Sequence, residues 1–260
     1  MVDLSKVSIG VKTFLRDAHL RDAIAGIQAN LPSCEIVIAD DGYPSLSKEK
    51  TDLYTQLSRD GHLVSCHPFD SGFGYKSNWI AQHFRRDYLL VASDDFDFHP
   101  PEVVRGIEKL VDVLDHTDTD IASGRVNNWP YEFDLEDLGD KIIEHPTKVP
   151  EGPEVPWFIQ CDLTVNYSLM KRRVFEKVGW DDEAKIGQGE HGSFFVDCKR
   201  SGFKTVYVPR VSIFTQRLRD PEEYKPYRRR ALSPERSCFK KRGIKTYILG
   251  NGQVDYQEGK

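Results

Sequence analysis

The 260-residue chain has no apolar run approaching the roughly 18–20 residues of a membrane span. Its first residues, MVDLSKVSIG, lack the layout of a signal peptide, so a soluble cytoplasmic protein is expected. No CxxC pair occurs. Cys34, Cys66, Cys161, Cys198 and Cys238 are dispersed and odd in number, which fits buried reduced thiols rather than a disulfide framework. Gly72-Phe-Gly74 lacks both the third glycine and the position of a dinucleotide-binding fingerprint. Internal repeats, coiled-coil heptads and low-complexity tracts are absent as well. What is present is a globular composition, 39% hydrophobic and 30% charged, with length for one large domain or two small ones.

The net charge of −5 hides an uneven distribution. Between Arg217 and Lys245 lie eleven Lys or Arg against four acids, so a basic C-terminal piece follows an acidic body. Such a layout suits either a polyanion held between the two or a solvated charged helix.

Short continuous apolar runs alternate with helical patterns through the first half. Val7–Phe14, Glu35–Ala39, Leu63–Cys66 and Tyr88–Ala92 read as strands. Helices are predicted across Leu20, Ile24 and Ile27, over about Ser45–Arg59, over Ser77–Arg85 and over Pro101–Leu114. This order predicts an α/β fold with a mostly parallel sheet covered on both faces. Ligands of such sheets bind beyond the carboxyl ends of the strands, which places Thr13, Asp41, the Gly72–Lys76 loop and Asp94–Asp97 along one edge. After Ser123 the pattern changes, and a division is expected near residues 118–125. Residues 127–156 read as loops and short strands; helices follow over Arg172–Val178 and from the Gly187–Gly192 stretch. Lys204–Phe214 reads as a last strand, at an edge or broken because of Pro209.

Residues 87–101, DYLLVASDDFDFHPP, run from an apolar strand straight into Asp94, Asp95 and Asp97. Three carboxylates this close repel one another, so a strand tip keeps them only with a counter-charge. Oxygen ligands on a turn where Asp95 and Asp97 can converge suit Mg²⁺ or Mn²⁺ rather than zinc. The plain alternative is an acidic cap on the helix that starts near Pro100.

Taken in order, VSIGVKTFLR, EIVIADDG, LLVASDDFDF and KIGQGEHGSFF resemble the glycosyltransferases of the GT-A fold. They are similar to the large inverting family 2, and closer still to the β-1,4-N-acetylgalactosaminyltransferases. Asp162 and Asn166 in CDLTVNYSLMKRR, Gly189-Glu190-His191 and Phe194-Phe195 carry the second likeness. The resemblance implies a Rossmann-like catalytic domain over residues 1–215, with a nucleotide-sugar half (1–122) and a loop-rich acceptor half (123–215). Residues 216–260 would form a basic segment packing on or closing over the site. The implied activity is inverting transfer of a hexose or N-acetylhexosamine from a UDP-sugar to an acceptor hydroxyl.

In that family the acidic motif after the fourth strand holds a divalent ion across the two phosphates. This implies Asp95 chiefly, with Asp94 and Asp97, as holders of Mn²⁺ or Mg²⁺ acting on the leaving diphosphate. Ser93 stands where the family has its first acid. Thr13 and Asp41 match the base-binding positions. An aspartate accepting from uracil N3–H favours a uridine nucleotide, although Asp40-Asp41-Gly42 also reads as a strand-to-turn signal. Arg16 and Lys76 are candidates for phosphate or ribose contact. Glu190 is the expected general base, at a helix start among glycines that let the backbone approach a sugar. His191 competes for that role, and helix capping is the structural alternative for Glu190. Asp162, Asn166 and Trp157 would line the sugar or acceptor pocket, though an aromatic in a loop-rich half is as readily core as a stacking platform.

The acceptor stays open. A glycan hydroxyl is the first reading. The basic 217–245 segment, with Tyr224, Tyr227 and Phe239 interleaved, also suits the backbone of a phage or viral DNA carrying hydroxymethylated bases. A third reading is a nucleotide-sugar-binding module that has lost catalysis, against which the acids at 94, 95, 97 and 190 argue.

Overall fold

In chain order the first half runs β1 (Val7–Thr13), α1 (Asp17–Asn30), β2 (Glu35–Asp40), α2 (Lys48–Arg59), β3 (Leu63–Cys66), α3 (Phe73–His83), β4 (Tyr88–Ser93), β5 (Phe96–Asp97) and α4 (Pro101–His116). It continues with β6 (Ile121–Val126), β7 (Phe133–Asp137), β8 (Lys141–Pro146), β9 (Ile159–Cys161), β10 (Ser168–Lys171), α5 (Arg172–Phe175), α6 (Glu190–Arg200) and β11 (Thr205–Thr215). Past residue 220 come α7 (Lys225–Arg228), α8 (Ser237–Lys241), β12 (Thr246–Ile248) and β13 (Val254–Gln257). The structure, a computed structural model, describes residues 2–42, 47–150, 152, 155–229 and 236–259. Residues 45–46 of the expected second helix therefore lie outside the described residues.

β1, β2 and β4 are apolar and buried along nearly their whole length, which requires cover on both faces. They pair in parallel in the order β3-β2-β1-β4. Alternate residues face opposite ways. Val7, Ile9 and Val11 pack with Leu20 and Ile24 of α1 and with Ile107 and Leu110 of α4. Val37, Ala39 and Leu89 pack with Ile80 of α3.

The expected break at residues 118–125 does not interrupt this sheet. β10 enters antiparallel between β4 and β6, and β11 lies parallel to β6. Pro209 falls at a register shift between Tyr207 and Ser212, where Arg210 takes φ 61°. β11 thus carries an interior irregularity, with β6 along one side and β9 and β5 along the other. Nor is it the last strand. β12 and β13 join β8 and β7 in a second sheet of order β13-β12-β8-β7. That sheet covers a core built on stacked rings, with Trp180 against Phe194 at 4.2 Å and Phe239 against Tyr247 at 4.3 Å. All five cysteines are free, and four are buried as expected; Cys66 is exposed. No described helix is long and apolar enough to cross a membrane.

α3 starts at Phe73, four residues before the predicted Ser77, because Gly72 at φ 108° turns the chain into the helix. Its glycines serve close packing. A Cβ on Gly74 would stand 1.7 Å from the carbonyl oxygen of Asp181, and one on Gly72 would stand 2.8 Å from that of Ala184. Overpacking against main chain costs about 1–3 kcal/mol. Gly74→Ala is expected to lower stability by about that amount in urea unfolding; a wild-type midpoint would show that the 181–184 turn does not rest on α3.

Candidate functional site

β1, β2 and β4 end level with one another, Thr13 opposite Asp40 and Lys12 opposite Ser93. The residues that follow therefore emerge at a common edge, where a cleft of about 360 Å³ opens. Thr13, Arg16, Asp41, Lys76, Asp94 and Asp95 line it, and Asn166 joins them from the turn before β10. Seven of the expected site residues are thus brought together.

The Asp40-Asp41 pair divides its roles by strand alternation. Asp40 is buried, accepts from Tyr54 OH at 2.7 Å and Gly42 N at 2.9 Å, and pairs with Lys50 Nζ at 2.8 Å. Asp41 lines the cleft. Its Oδ1 is bonded to Lys76 Nζ, and its Oδ2 accepts from Gly72 N at 2.9 Å and Ser71 Oγ at 3.3 Å. Lys76 also donates to the Thr13 carbonyl at 2.9 Å. Three donors on about four acceptor sites leave the Asp41 carboxylate room for one more.

Arg16 supplies the counter-charge that the acidic stretch demands. It bonds Asp94 Oδ1 through Nη2 and Asp95 Oδ2 through Nη1, the second at 2.9 Å. Burial works against the guanidinium's charge, but Asp94 and Asp95 outweigh it and raise its pKa. For the enclosed Asp94, burial outweighs Arg16 and raises the pKa. For Asp95, burial is outweighed by Arg16 and the pKa falls. Asp94 Oδ2 and the nearby Thr13 Oγ1 are both buried without a partner at hydrogen-bonding distance among the described residues, although the Thr13 hydroxyl is close enough to pull the Asp94 pKa down against burial. Two carboxylates with an orphaned oxygen fit a hard divalent cation whose shell is completed by phosphate oxygens and water.

Asp97 does not join that set. It lies on β5 outside the cleft lining, and its Oδ1 accepts from His99 N at 3.0 Å. Among the described residues no group of three or more His, Cys, Asp or Glu is arranged to hold a metal. Asp162 ties β7 to α6, accepting from Leu135 N at 2.8 Å and Lys199 Nζ at 2.6 Å. Trp157 is exposed beside Phe158, away from the cleft lining.

Glu190 and His191 also stand outside the lining. Glu190 folds back on its own loop, accepting from Gly187 N at 3.1 Å and Gln188 N at 2.9 Å; both amides precede Gly189, the N-cap of α6, so the carboxylate braces the loop and does not cap the helix. Burial nonetheless raises its pKa, against the pull of those amides. His191 bonds the Thr164 carbonyl through Nε2 and packs on Phe195 and Tyr131. Burial lowers its pKa to about 4, so it is neutral at pH 7.

Some lining residues were not anticipated. Lys12 donates to the Ala92 carbonyl at 3.1 Å and lies 5.1 Å from the Phe73 ring. Burial, reinforced by Lys76, lowers its pKa to about 8. The available signal was a lone charge inside the apolar run VSIGVKTF. Asp220, Tyr224, Tyr227 and Arg228 reach the cleft from the C-terminal segment, with Tyr227 4.8 Å from the Phe14 ring.

Part of the same segment's charge is answered within the fold, while Arg217, Arg219, Arg228, Arg229 and Lys240 are exposed. Lys225 pairs with Glu222, Arg236 with Asp255, Lys241 with Asp181 and Glu183, Arg242 with Asp197, and Lys245 with Asp140. Internal acids answer much of the charge on which the DNA reading stood; Arg230 lies outside the described residues.

The sheet order and the cleft at the strand ends are those of a GT-A glycosyltransferase fold. Among solved structures the chain is similar to the mannosyltransferase PcManGT from Pyrobaculum calidifontis, described in complex with GDP-Man and Mn²⁺. Identity is 12% and the TM-score 0.58, over 89% of this chain and 64% of that one. It is similar also to residues 1–349 of S. aureus TarS, at 13% identity and TM-score 0.53, over 91% and 69%. The family model for glycosyl transferase family 2 matches residues 8–179, and the chain belongs to that family. Mouse β-1,4 N-acetylgalactosaminyltransferase 2 is 28% identical over 74% of this chain and 36% of its own length. Human β-1,4 N-acetylgalactosaminyltransferase 1 is 27% identical over 74% and 35%. The chain spans about a third of the length of these curated relatives.

A neutral buried histidine makes a signed prediction. The folded pKa of His191 lies below its unfolded value of 6.5, so its contribution is complete above pH 6.5 and is lost as pH falls toward 4. The loss is roughly 3 kcal/mol. His191→Gln should flatten the fall in stability over that window; an unchanged pH profile would show that the imidazole titrates freely.

Proposed function

We propose that this chain transfers a hexose or N-acetylhexosamine from a UDP-sugar to an acceptor hydroxyl, in the first instance on a glycan, with inversion. The observation that carries the reading is the Asp94–Asp95 pair, one oxygen orphaned, sharing a cleft with Lys12, Arg16 and Lys76. A diphosphate needs that mixture: carboxylates for a bridging cation and basic groups for its own oxygens. Family membership supports glycosyl transfer, and the relatives' names support N-acetylgalactosamine as a donor sugar to try first.

Asp94 and Asp95 would hold Mn²⁺ or Mg²⁺, which when bound serves as Lewis acid for the departing diphosphate. The remaining acceptor site of Asp41 suits uracil N3–H, and its bonds to Lys76 and Gly72 N keep that carboxylate in place. Tyr224 and Tyr227 supply apolar cover that limits water at the donor. Asn166, on the far side of the cleft, suits a sugar hydroxyl. Glu190 is the proposed base. Its pKa is shifted in the direction a base requires, and the loop that it braces through Gly187 N and Gln188 N contributes Lys185 and Ile186 to the cleft wall. Lys199 and Leu135 engage Asp162, so that residue is proposed only to hold the acceptor side in shape.

With Mn²⁺ present, the chain is expected to release UDP slowly from UDP-N-acetylhexosamines or UDP-hexoses. No turnover together with no cation-dependent UDP binding would favour the catalytically silent module. Asp95→Asn should cut turnover on the order of 100-fold while the fold persists; unaltered turnover would move the cation elsewhere. Glu190→Gln should retain UDP affinity and lose transfer, and an active variant would leave the residue with bracing its loop alone.

A further inference from the structure

We propose that Arg16 is a two-position residue that makes cation loading of the Asp94–Asp95 pair conditional on the nucleotide. The inference rests on the cleft being a cation-assisted nucleotide-sugar site, and it concerns how this chain keeps that site closed to a bare ion.

Arg16 is the cation paired with Asp94 and Asp95 among the described residues. Lys12 donates to the Ala92 carbonyl and Lys76 to Asp41, so neither takes its place. Its side chain is 12% exposed and that of Asp94 1%, so an ion arriving from solvent meets carboxylates already answered by an enclosed guanidinium. A guanidinium keeps its proton in proteins. Arg16 therefore cannot yield by losing its charge; it has to move.

A second set of partners lies within reach. The Nη1 that bonds Asp95 at 2.9 Å stands 3.6 Å from Asp220 Oδ1, and the guanidinium carbon lies 4.8 Å from the Tyr224 ring. Both belong to the C-terminal stretch that lines the cleft. Nη1 of Arg16 thus lies between the strand tip and the segment covering it, so a shift of under an ångström toward Asp220 exchanges one carboxylate for the other. Leu15, at φ 57°, sets the sharp turn from which Arg16 projects.

A lone divalent ion would have to displace Arg16 while repelling it at short range. A diphosphate changes both terms, since its oxygens complete the ion's shell and offset the added positive charge. Arg16 can then pass to Asp220 or to phosphate. The ion and the nucleotide bind cooperatively as a result, and the cooperativity resides in one side chain.

Manganese binding by the whole chain, read from the electron-paramagnetic-resonance signal of free Mn²⁺, tests this without reference to activity. In the wild type, UDP is expected to tighten Mn²⁺ binding on the order of 10- to 100-fold. Arg16→Gln should bind Mn²⁺ without UDP more tightly than the wild type does, with the UDP effect reduced to a few-fold. Asp220→Asn, on the more exposed side, should weaken Mn²⁺ binding in the presence of UDP. If Arg16→Gln does not fold, an unchanged Mn²⁺ affinity in Asp220→Asn overturns the two-position role. Wild-type Mn²⁺ binding that is tight and indifferent to UDP overturns the inference while the transferase reading stands. Failure of every variant to bind Mn²⁺ with UDP overturns both.

Discussion

Two adjacent carboxylates at the end of a buried strand are the constraint from which the cleft follows. Unit charges 4 Å apart interact by about 4 kcal/mol at an effective dielectric near 20, so such a pair is not left beside apolar neighbours without a cation. Arg16 is available because β1 and β4 are sheet neighbours in register and their ends release Arg16 and Asp94 side by side. The same logic recurs along the edge. Asp40 takes Lys50 and Asp41 takes Lys76, each base arriving from a neighbouring helix. Charge pairing, laid over a sheet that is apolar on both faces, fastens the loops after β1, β2 and β4 into one wall.

Those pairs differ in what they leave unfinished. Asp40 is enclosed with Tyr54, Lys50 and Gly42 and has a structural task. Asp94 keeps one oxygen orphaned, and Asp41 keeps acceptor capacity, at positions that line the cleft. A folded protein tolerates a buried orphan oxygen where a ligand completes it. The C-terminal stretch contributes Asp220, Tyr224, Tyr227 and Arg228 to the lining, packed against Phe14 and Arg16. The cleft is therefore assembled from residues far apart in the chain.

The first half of the fold was legible in the sequence because its strands are short apolar runs, two of them (β2 and β4) leading into paired aspartates, and each such run became a strand of the parallel sheet. The cleft side of Thr13, Asp41, Lys76 and the Asp94–Asp95 pair followed from the strand-end rule, while Arg16 was expected there from the family resemblance. Other features followed from contacts far apart in sequence. β12 and β13 are only three and four residues long, and are strands because β8 offers β12 an edge and β12 in turn offers one to β13. Asp162 and Glu190 look alike in sequence whether they meet a substrate or a backbone amide, and the folded chain gives both of them amides. The basic segment read as a polyanion surface because its acid partners, Asp181, Asp197 and Asp255 among them, are remote from it or beyond its end. Gly72, read as part of a ligand-edge loop, lines the cleft and donates to Asp41, and Gly72 and Gly74 also permit the close contact of α3 with the 181–184 turn, which the sequence did not show.

The central claim is that the acidic strand tip receives a cation together with a nucleoside diphosphate. The most direct measurement is anomalous scattering at the manganese edge from a crystal grown with UDP and Mn²⁺. A single strong peak between the diphosphate and the carboxylates of Asp94 and Asp95, with the uracil edge at Asp41, is the predicted result. Ordered UDP whose phosphates lie away from those aspartates, with manganese elsewhere or not bound, would contradict the account.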